Sequence, residues 1–373
     1  MHFPLFSAKE QERIQMPFLQ AVLLDCFSNL NGERTPYAVF HLLNGKKSAQ
    51  TIQDSHFFKI GRLFQTFPFI TREAFTREVD ALLKAGLLQK SGPDACVVTE
   101  KGTALLLATG RMEERFPYLD GLKYQDSANL FWKRLNLITQ AVSNLVYGNK
   151  VYYPVQRDPA LQAWAKNWLK QHAKSRIALA EHLYREFYRL FSGSPPEKPE
   201  IFVLRLTGAG RIGYTITQAA SALHLDPVEY WYRFLHLLHF IVRRILGDPE
   251  TFRYLYQMLH DVQKALPLTR SAAVTFGFLK QGKTIAEIST LRGLKQSTIE
   301  DHLIEIALTV PDFPLNRYVP KDEEQKIIRA AADLNTKKLK PIKEKVGDIP
   351  YFHIRLVLAE RMGRSGSFKL FEK

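Results

Sequence analysis

Apolar residues recur every three or four positions through most of the chain, and this period is typical of helices with one buried face. The clearest case lies between Ala272 and Leu308, where three short apolar stripes follow one another. This pattern predicts a helix, a second helix, a short turn and a third helix. The residues predicted to face inward are Ala272, Phe276, Leu279, Ile285, Ile288, Ile299, Leu303 and Ile306.

Polar residues and a glycine mark the ends of these helices. Gly293 is placed to make the turn, because glycine adopts the left-handed conformation at low cost. Thr284 with Glu287 predicts a capping box at the start of the second helix, and Ser297 with Glu300 predicts another at the start of the third. This order of parts is that of a helix-turn-helix, and an ordinary three-helix bundle is the alternative.

The first hundred residues combine predicted helices with a hairpin. Helical spacing covers residues 10–30, 36–44, 49–58 and 71–88, and a hairpin follows, with its tip at residues 91–94. Helices followed at once by a hairpin are the plan of a winged helix. Its candidate phosphate contacts are outward residues of the last helix, and the alternative is that they are solvated helix charges: Arg72, Arg77 and Lys84.

The middle of the chain is predicted to be helical as well, and it is rich in aromatic residues. Several of these fall at helical spacing, which favours burial in a core over stacking on unpaired bases. They are Trp164, Trp168, Tyr184, Phe187 and Phe191. The small, proline-rich run from Ser192 to Glu200 predicts a linker.

A literal G-x-G-x-x-G runs from Gly208 to Gly213, after an apparent strand at residues 201–206. We do not predict dinucleotide binding, because a parallel sheet needs a second apolar strand after the helix. The chain instead continues with helical spacing, which predicts another helix-turn-helix-like unit. His236 and His239 lie on one of its apolar helices and are predicted to be core histidines rather than metal ligands.

Composition narrows the class of partner. The chain has 373 residues, 46% of them hydrophobic, and a formal net charge of +15. This charge favours an anionic partner, nucleic acid before an anionic membrane surface, and a basic protein with no such partner is the alternative. Cys26 and Cys96 are the only cysteines, which indicates a reducing compartment. With no signal peptide and no transmembrane run, we expect a cytoplasmic location and no membrane contact.

Catalytic signatures are missing from the sequence. It contains no nucleophile elbow, Walker motif or zinc-protease motif. We therefore expect no enzyme activity, no cofactor and no metal.

The run from Gly282 to Leu303, G-K-T-I-A-E-I-S-T-L-R-G-L-K-Q-S-T-I-E-D-H-L, resembles the helicase-type helix-turn-helix at the C-terminus of some RecQ DNA helicases. The same module occurs in a stand-alone bacterial family, the YpbB-like proteins, typically encoded beside a RecQ-type helicase gene. Residues 339–359 resemble the end of that module, and the N-terminal plan is similar to the winged helix that follows the RecQ motor. The resemblance implies a helicase accessory in DNA recombination and repair.

Two further groups are candidate DNA contacts. The first is the start of the third helix: Lys295, Gln296, Ser297 and Thr298. The second is a basic tail: Lys337, Lys338, Lys340, Lys343, Lys345 and the outward Arg355. The third helix is also predicted to carry carboxylates on its outer face, which argues against strong sequence readout: Glu300, Asp301 and Glu305.

We therefore predict a mainly α fold in four parts: a winged-helix-like domain (1–110), a helical domain (111–195), a helical, helix-turn-helix-like domain (200–265), and a helicase-type helix-turn-helix domain with a basic tail (268–373). The predicted function is non-enzymatic DNA binding beside a RecQ-type helicase, mainly through phosphates. A sequence-specific transcriptional regulator and a protein adaptor without DNA contact are the alternatives.

Overall fold

A computed structural model describes residues 16–92, 94–172, 175–262, 268–310, 312–334, 336 and 339–365, with side chains up to residue 361. The fold is mainly α-helical, as predicted, and the described residues contain a single two-stranded antiparallel sheet. The part of the predicted first helix before residue 16 lies outside the described residues.

The elements in chain order are α1 (Phe18–Leu30), α2 (Pro36–Asn44), α3 (Ala49–Phe57), α4 (Arg72–Lys84), β1 (Leu88–Lys90), β2 (Cys96–Val98), α5 (Glu100–Thr109), α6 (Met112–Arg115), α7 (Gly121–Val146), α8 (Pro159–Gln171), α9 (Arg176–Ser192), α10 (Glu200–Val203), α11 (Ile216–Ala222), α12 (Pro227–Gly247), α13 (Arg253–Tyr256), α14 (Arg270–Lys280), α15 (Ile285–Arg292), α16 (Gln296–Thr309), α17 (Lys321–Leu334), α18 (Leu339–Val346) and α19 (Tyr351–Ser365).

The chain divides into two compact units. Unit 1 comprises Met1–Asp25, Glu78–Leu82 and Glu100–Gln263, and unit 2 comprises Cys26–Arg77, Leu83–Thr99 and Lys264–Lys373. Unit 2 thus joins N-terminal and C-terminal segments of the chain. The four domains predicted from the sequence stay a prediction, as does the winged-helix assignment. Its helices and its hairpin, with Leu88 opposite Val98, form where expected.

The core of unit 1 lies between the long helices α7 and α12, and α8 and α9 pack on α7. His236 and His239 are buried here, as predicted. Nε2 of His239 lies 3.0 Å from Oε1 of Gln125, and Nδ1 accepts from the amide of Asp120 at 3.1 Å. Burial lowers the pKa of His239 to about 3. The ring is therefore a neutral core group held in one tautomer.

Two expectations for unit 1 are wrong. Residues 201–206 do not form a strand, since helix α10 covers Glu200–Val203, and short apolar runs fit either structure. The glycines that follow form a tight turn, in which the amide of Gly208 donates to the carbonyl of Arg211 at 2.9 Å. Tyr184 was expected in the core but is 68% exposed, whereas Trp168 is buried.

Unit 2 has its core around α16, which packs against α14, α15 and α19. Helix α3, from the N-terminal part of the chain, packs on α16 and α19 within the same unit. Its side chains are correspondingly buried, including Ile52 and Phe57. The helix-turn-helix elements therefore share their core with a segment more than 200 positions away in the sequence.

Candidate nucleic-acid interface

The predicted helix-turn-helix forms from α14, α15 and α16. Thr284 and Glu287 make the predicted capping box: the amide of Thr284 donates to Oε2 of Glu287 at 2.7 Å, and the amide of Glu287 donates to the Thr284 hydroxyl at 3.3 Å. Gly293 ends α15 with φ of 59°, a left-handed conformation that suits glycine.

The predicted start of α16 is wrong. The helix begins at Gln296 with Lys295 as its N-cap, so Ser297 lies inside the first turn rather than capping it. The turn before it explains the shift, because the Ser289 hydroxyl donates to the carbonyl of Leu294 at 2.5 Å and closes the connection early. No side chain caps α16 in the described structure.

Residues 302–308 of α16 are buried, and its first turn is the most exposed part of the helix. Ile299, Leu303 and Ile306 have no exposed surface, which confirms the inward stripe predicted from the sequence. Lys295, Gln296 and Ser297 are exposed, and Thr298 is half-buried. These four predicted contacts therefore lie together at one end of the helix.

Glu305 does not face outward as expected. It is 5% exposed, and both its carboxylate oxygens accept hydrogen bonds from Thr269, the N-cap of α14. Oε2 of Glu305 lies 3.0 Å from the Thr269 hydroxyl. The carboxylate thus anchors α14 on α16 and is directed away from any ligand.

The other two carboxylates of α16 also have partners within unit 2. Oδ1 of Asp301 lies 2.7 Å from Nη1 of Arg355 on α19. Oε1 of Glu300 accepts a hydrogen bond from the side-chain amide of Gln296 at 2.9 Å. Asp301 and Glu305 are therefore engaged in internal contacts, whereas Glu300 keeps its negative charge beside Gln296, because a neutral amide does not neutralise a carboxylate.

A cleft of about 420 Å³ opens between the starts of α15 and α16. Its lining includes Lys283, Gln296, Arg317 and Tyr318. Lys283 makes a loose ion pair with Glu287 at 3.7 Å, and Arg317 is exposed. We call Lys283, Lys295, Gln296 and Arg317 the front cluster. Sequence reasoning missed Lys283 and Arg317. Arg317 lies 21 positions or more from the other three, and nothing local pairs it with them.

A buried polar network holds the three helices behind the front cluster. Nη1 of Arg292 on α15 donates to the Thr275 hydroxyl on α14, and that hydroxyl lies 2.9 Å from Nδ1 of His302 on α16. Burial, and then the neighbouring Arg292, lower the pKa of His302. The network thus needs a neutral His302.

We call Lys340, Lys343, Lys345 and Arg355 the tail cluster; Lys337 and Lys338 lie outside the described residues. Nζ of Lys345 lies 2.7 Å from Oδ2 of Asp333, and Nζ of Lys343 donates to the carbonyl of Ile349 at 2.7 Å. Arg355 also donates to Gln53 at 3.4 Å, in addition to its pair with Asp301. Lys340 is exposed. Most of this cluster therefore makes internal contacts.

The candidate contacts on α4 lie on a mixed surface. Arg72, Arg77 and Lys84 are exposed as predicted, but Glu73 and Asp80 are exposed on the same helix. The guanidinium of Arg72 lies 4.3 Å from the ring centre of Tyr37. The exposed surface of this helix therefore carries charges of both signs.

Among the described residues, no set of three or more histidine, cysteine, aspartate or glutamate side chains is arranged to hold a metal ion. Within the same residues, no helix has the length and apolarity needed to cross a membrane.

Comparison with known proteins gives two matches. A family described as "Helix-turn-helix domain" matches residues 271–358. "Protein YpbB" of Bacillus subtilis (strain 168) is 33% identical over 352 residues, which is 94% of this chain and 99% of the relative. The chain belongs to the YpbB family. No solved structure matched.

In this member of the YpbB family, the helix-turn-helix match begins at the first turn of α14 and ends within α19. It contains the whole front cluster and the tail cluster. The domain type points to DNA binding. The name of the Bacillus subtilis relative states no activity.

Proposed function

We propose that the protein is a non-enzymatic, cytoplasmic DNA-binding protein that holds DNA by its backbone phosphates and assists a RecQ-type helicase in recombination or repair. The observation that carries the proposal is the front cluster. Positive side chains lie at the uncapped first turn of α16, while Glu305 is buried against Thr269 and Asp301 pairs with Arg355.

The first turn of a helix presents amide N–H groups and the positive end of the helix dipole, and both favour an anion. Lys295 is exposed at this end of α16, and Lys283 and Arg317 line the adjacent cleft. A phosphate group in the cleft would meet Lys283 and Arg317, and Lys295 lies at the adjoining helix end. The geometry therefore favours phosphate contacts.

Base readout has little support at the same place. The Gln296 amide, which could recognise adenine, is engaged with Glu300. Residues 302–308 of α16 are buried, so they have no path to a groove. Phosphate contacts position a protein on DNA without carrying sequence information. This favours the helicase accessory over the transcriptional regulator.

The helicase partner rests on resemblance. The run from Gly282 to Leu303 resembles a module of RecQ helicases, and the chain carries no motor motif of its own. A separate helicase would supply the motor.

The adaptor alternative has one observation in its favour. Leu291 on α15 is 59% exposed and Val274 on α14 is 46% exposed, and exposed apolar side chains can dock a protein. Loss of helicase capture in a Leu291→Ser/Val274→Ser variant that still binds DNA would show that the same domain also docks protein.

Equilibrium binding to several duplexes of random sequence tests the proposal. We expect similar affinities for all of them, and a log–log salt slope of about −3 or steeper between about 50 and 200 mM salt. Strong preference for one duplex would favour the regulator. Helicase capture without salt-dependent DNA binding would favour the adaptor.

A further inference from the structure

The connection between α7 and α8 in unit 1 exposes apolar side chains that the proposed function does not use. Tyr147 is 79% exposed, Val151 88% and Tyr153 96%. Such residues are normally covered, so their exposure within a few positions of one another marks an interaction surface. We call residues 147–157 the tyrosine loop.

The backbone of the tyrosine loop is held in place by α7. Gln140 is 5% exposed; its Nε2 donates to the carbonyl of Tyr153 at 3.0 Å, and its Oε1 accepts from the amide of Val155 at 2.8 Å. Nδ2 of Asn149 donates to Oδ1 of the buried Asn144 at 2.7 Å. The rings therefore project from a fixed backbone, which lowers the entropy lost when a ligand binds.

The charged residues of the tyrosine loop itself are positive, and exposed Asp158 follows Arg157 directly. No aspartate or glutamate occurs between Asp126 and Asp158. Lys150 and Arg157 lie within the loop, and both are exposed. A ligand that fits must therefore combine flat apolar groups with negative charge.

We propose that the tyrosine loop binds single-stranded nucleic acid, with bases stacked on Tyr147 and Tyr153 and phosphates at Lys150 and Arg157. Every base has a face that can stack on an aromatic ring, but the bases of a duplex are already stacked on one another. This surface lies in unit 1, on residues outside the helix-turn-helix. The inference goes beyond the proposed function and does not depend on it.

Titration of a labelled oligothymidylate of about 12 nucleotides tests the inference. Tyr147→Ala/Tyr153→Ala is expected to weaken binding by about tenfold or more, since each base loses the ring on which it stacks. Tyr147→Phe/Tyr153→Phe should bind like the wild type. The matched control is Tyr184→Ala/Tyr188→Ala on α9, whose rings are 68% and 62% exposed, and it should bind like the wild type.

The charges are tested in the same assay. Lys150→Gln/Arg157→Gln is expected to reduce the salt slope by about 1.4, or about 0.7 for each single-strand phosphate contact. Duplex binding should be unchanged in the tyrosine variant and in the charge variant of the loop. Duplex binding therefore tests the front cluster, and oligothymidylate binding tests the loop.

Two results would overturn the inference. One is unchanged oligothymidylate binding in the Tyr147→Ala/Tyr153→Ala variant, and the other is an equal loss in the α9 control. If the variant binds oligothymidylate normally but no longer captures the helicase, the loop is a protein-docking surface.

Discussion

The front cluster and the tail cluster lie on the same helix-turn-helix domain and differ in what their charges contact. The tail is much the denser group of lysines in the sequence. In the structure, Lys345 and Arg355 each lie 2.7 Å from a carboxylate oxygen, and Lys343 donates to a backbone carbonyl. The front cluster has fewer cations, but Lys295 and Arg317 are exposed beside an open helix end. The density of charge along a sequence is therefore a poor measure of the charge available to a ligand.

The largest expected effect is a loss of stability on removing Glu305, the buried carboxylate of α16. Glu305→Ala removes the group that accepts both hydrogen bonds from Thr269. We expect it to lower the free energy of unfolding by about 2–3 kcal/mol, since a buried donor loses a charged partner. Chemical denaturation with urea measures this change.

Asp301→Asn is the matched control for Glu305→Ala. Its carboxylate is 38% exposed and pairs with Arg355 at the surface, so we expect a loss below about 1 kcal/mol. If the free energy of unfolding decreases equally in the two variants, the buried Glu305 stabilises the domain no more than the exposed Asp301 does.

The next effect is a pH dependence of the domain that carries the front cluster. The pKa of His302 is below its ordinary value of 6.5 in the folded protein, so the unfolded chain binds a proton more readily. The contribution of neutral His302 to folding stability is fully present above pH 6.5. It is lost as the pH falls through the pKa of the folded state. We expect the thermal midpoint to decrease between pH 7 and 5.

His302→Gln should show a weaker decrease, because the amide does not titrate. Thermal melts of wild type and variant at matched pH give the comparison. Parallel curves for the two proteins would show that His302 makes no contribution to the acid sensitivity.

The smallest expected effect comes from releasing a tail lysine. Asp333→Asn removes the partner of Lys345, whose side chain is 41% exposed. An exposed pair contributes about 0.2–1 kcal/mol, so DNA affinity should increase by at most about fivefold. Competition binding with a labelled duplex measures this. No increase would mean that Lys345 does not meet DNA.

Local signals in the sequence predicted the local structure well. The Thr284–Glu287 capping box, the left-handed Gly293 and the inward stripe of α16 all form, because each depends on neighbours within one or two turns. The periodicity of the hydrophobic residues was enough to predict the mainly α class.

Long-range contacts account for the burial of Glu305 and for the missed Arg317, whereas the predicted Ser297 cap failed for a local reason. Glu305 is buried against Thr269, which lies 36 positions away, so no pattern near Glu305 indicates its burial. Arg317 joins the front cluster from a short 3-10 turn, Leu315–Arg317, between α16 and α17. Helix α3 covers α16 from the other end of the chain, and no pattern within either segment records that packing.

One measurement tests the central claim, that the front cluster is the main contact with DNA. Salt slopes for duplex binding are compared between Lys283→Gln/Lys295→Gln/Arg317→Gln and Lys340→Gln/Lys343→Gln/Lys345→Gln, which remove equal charge. We expect the front variant to reduce the magnitude of the salt slope by about 2.7, or about 0.9 per contact. The tail variant should reduce it by less than about 1. An equal or larger decrease in the tail variant would contradict the account.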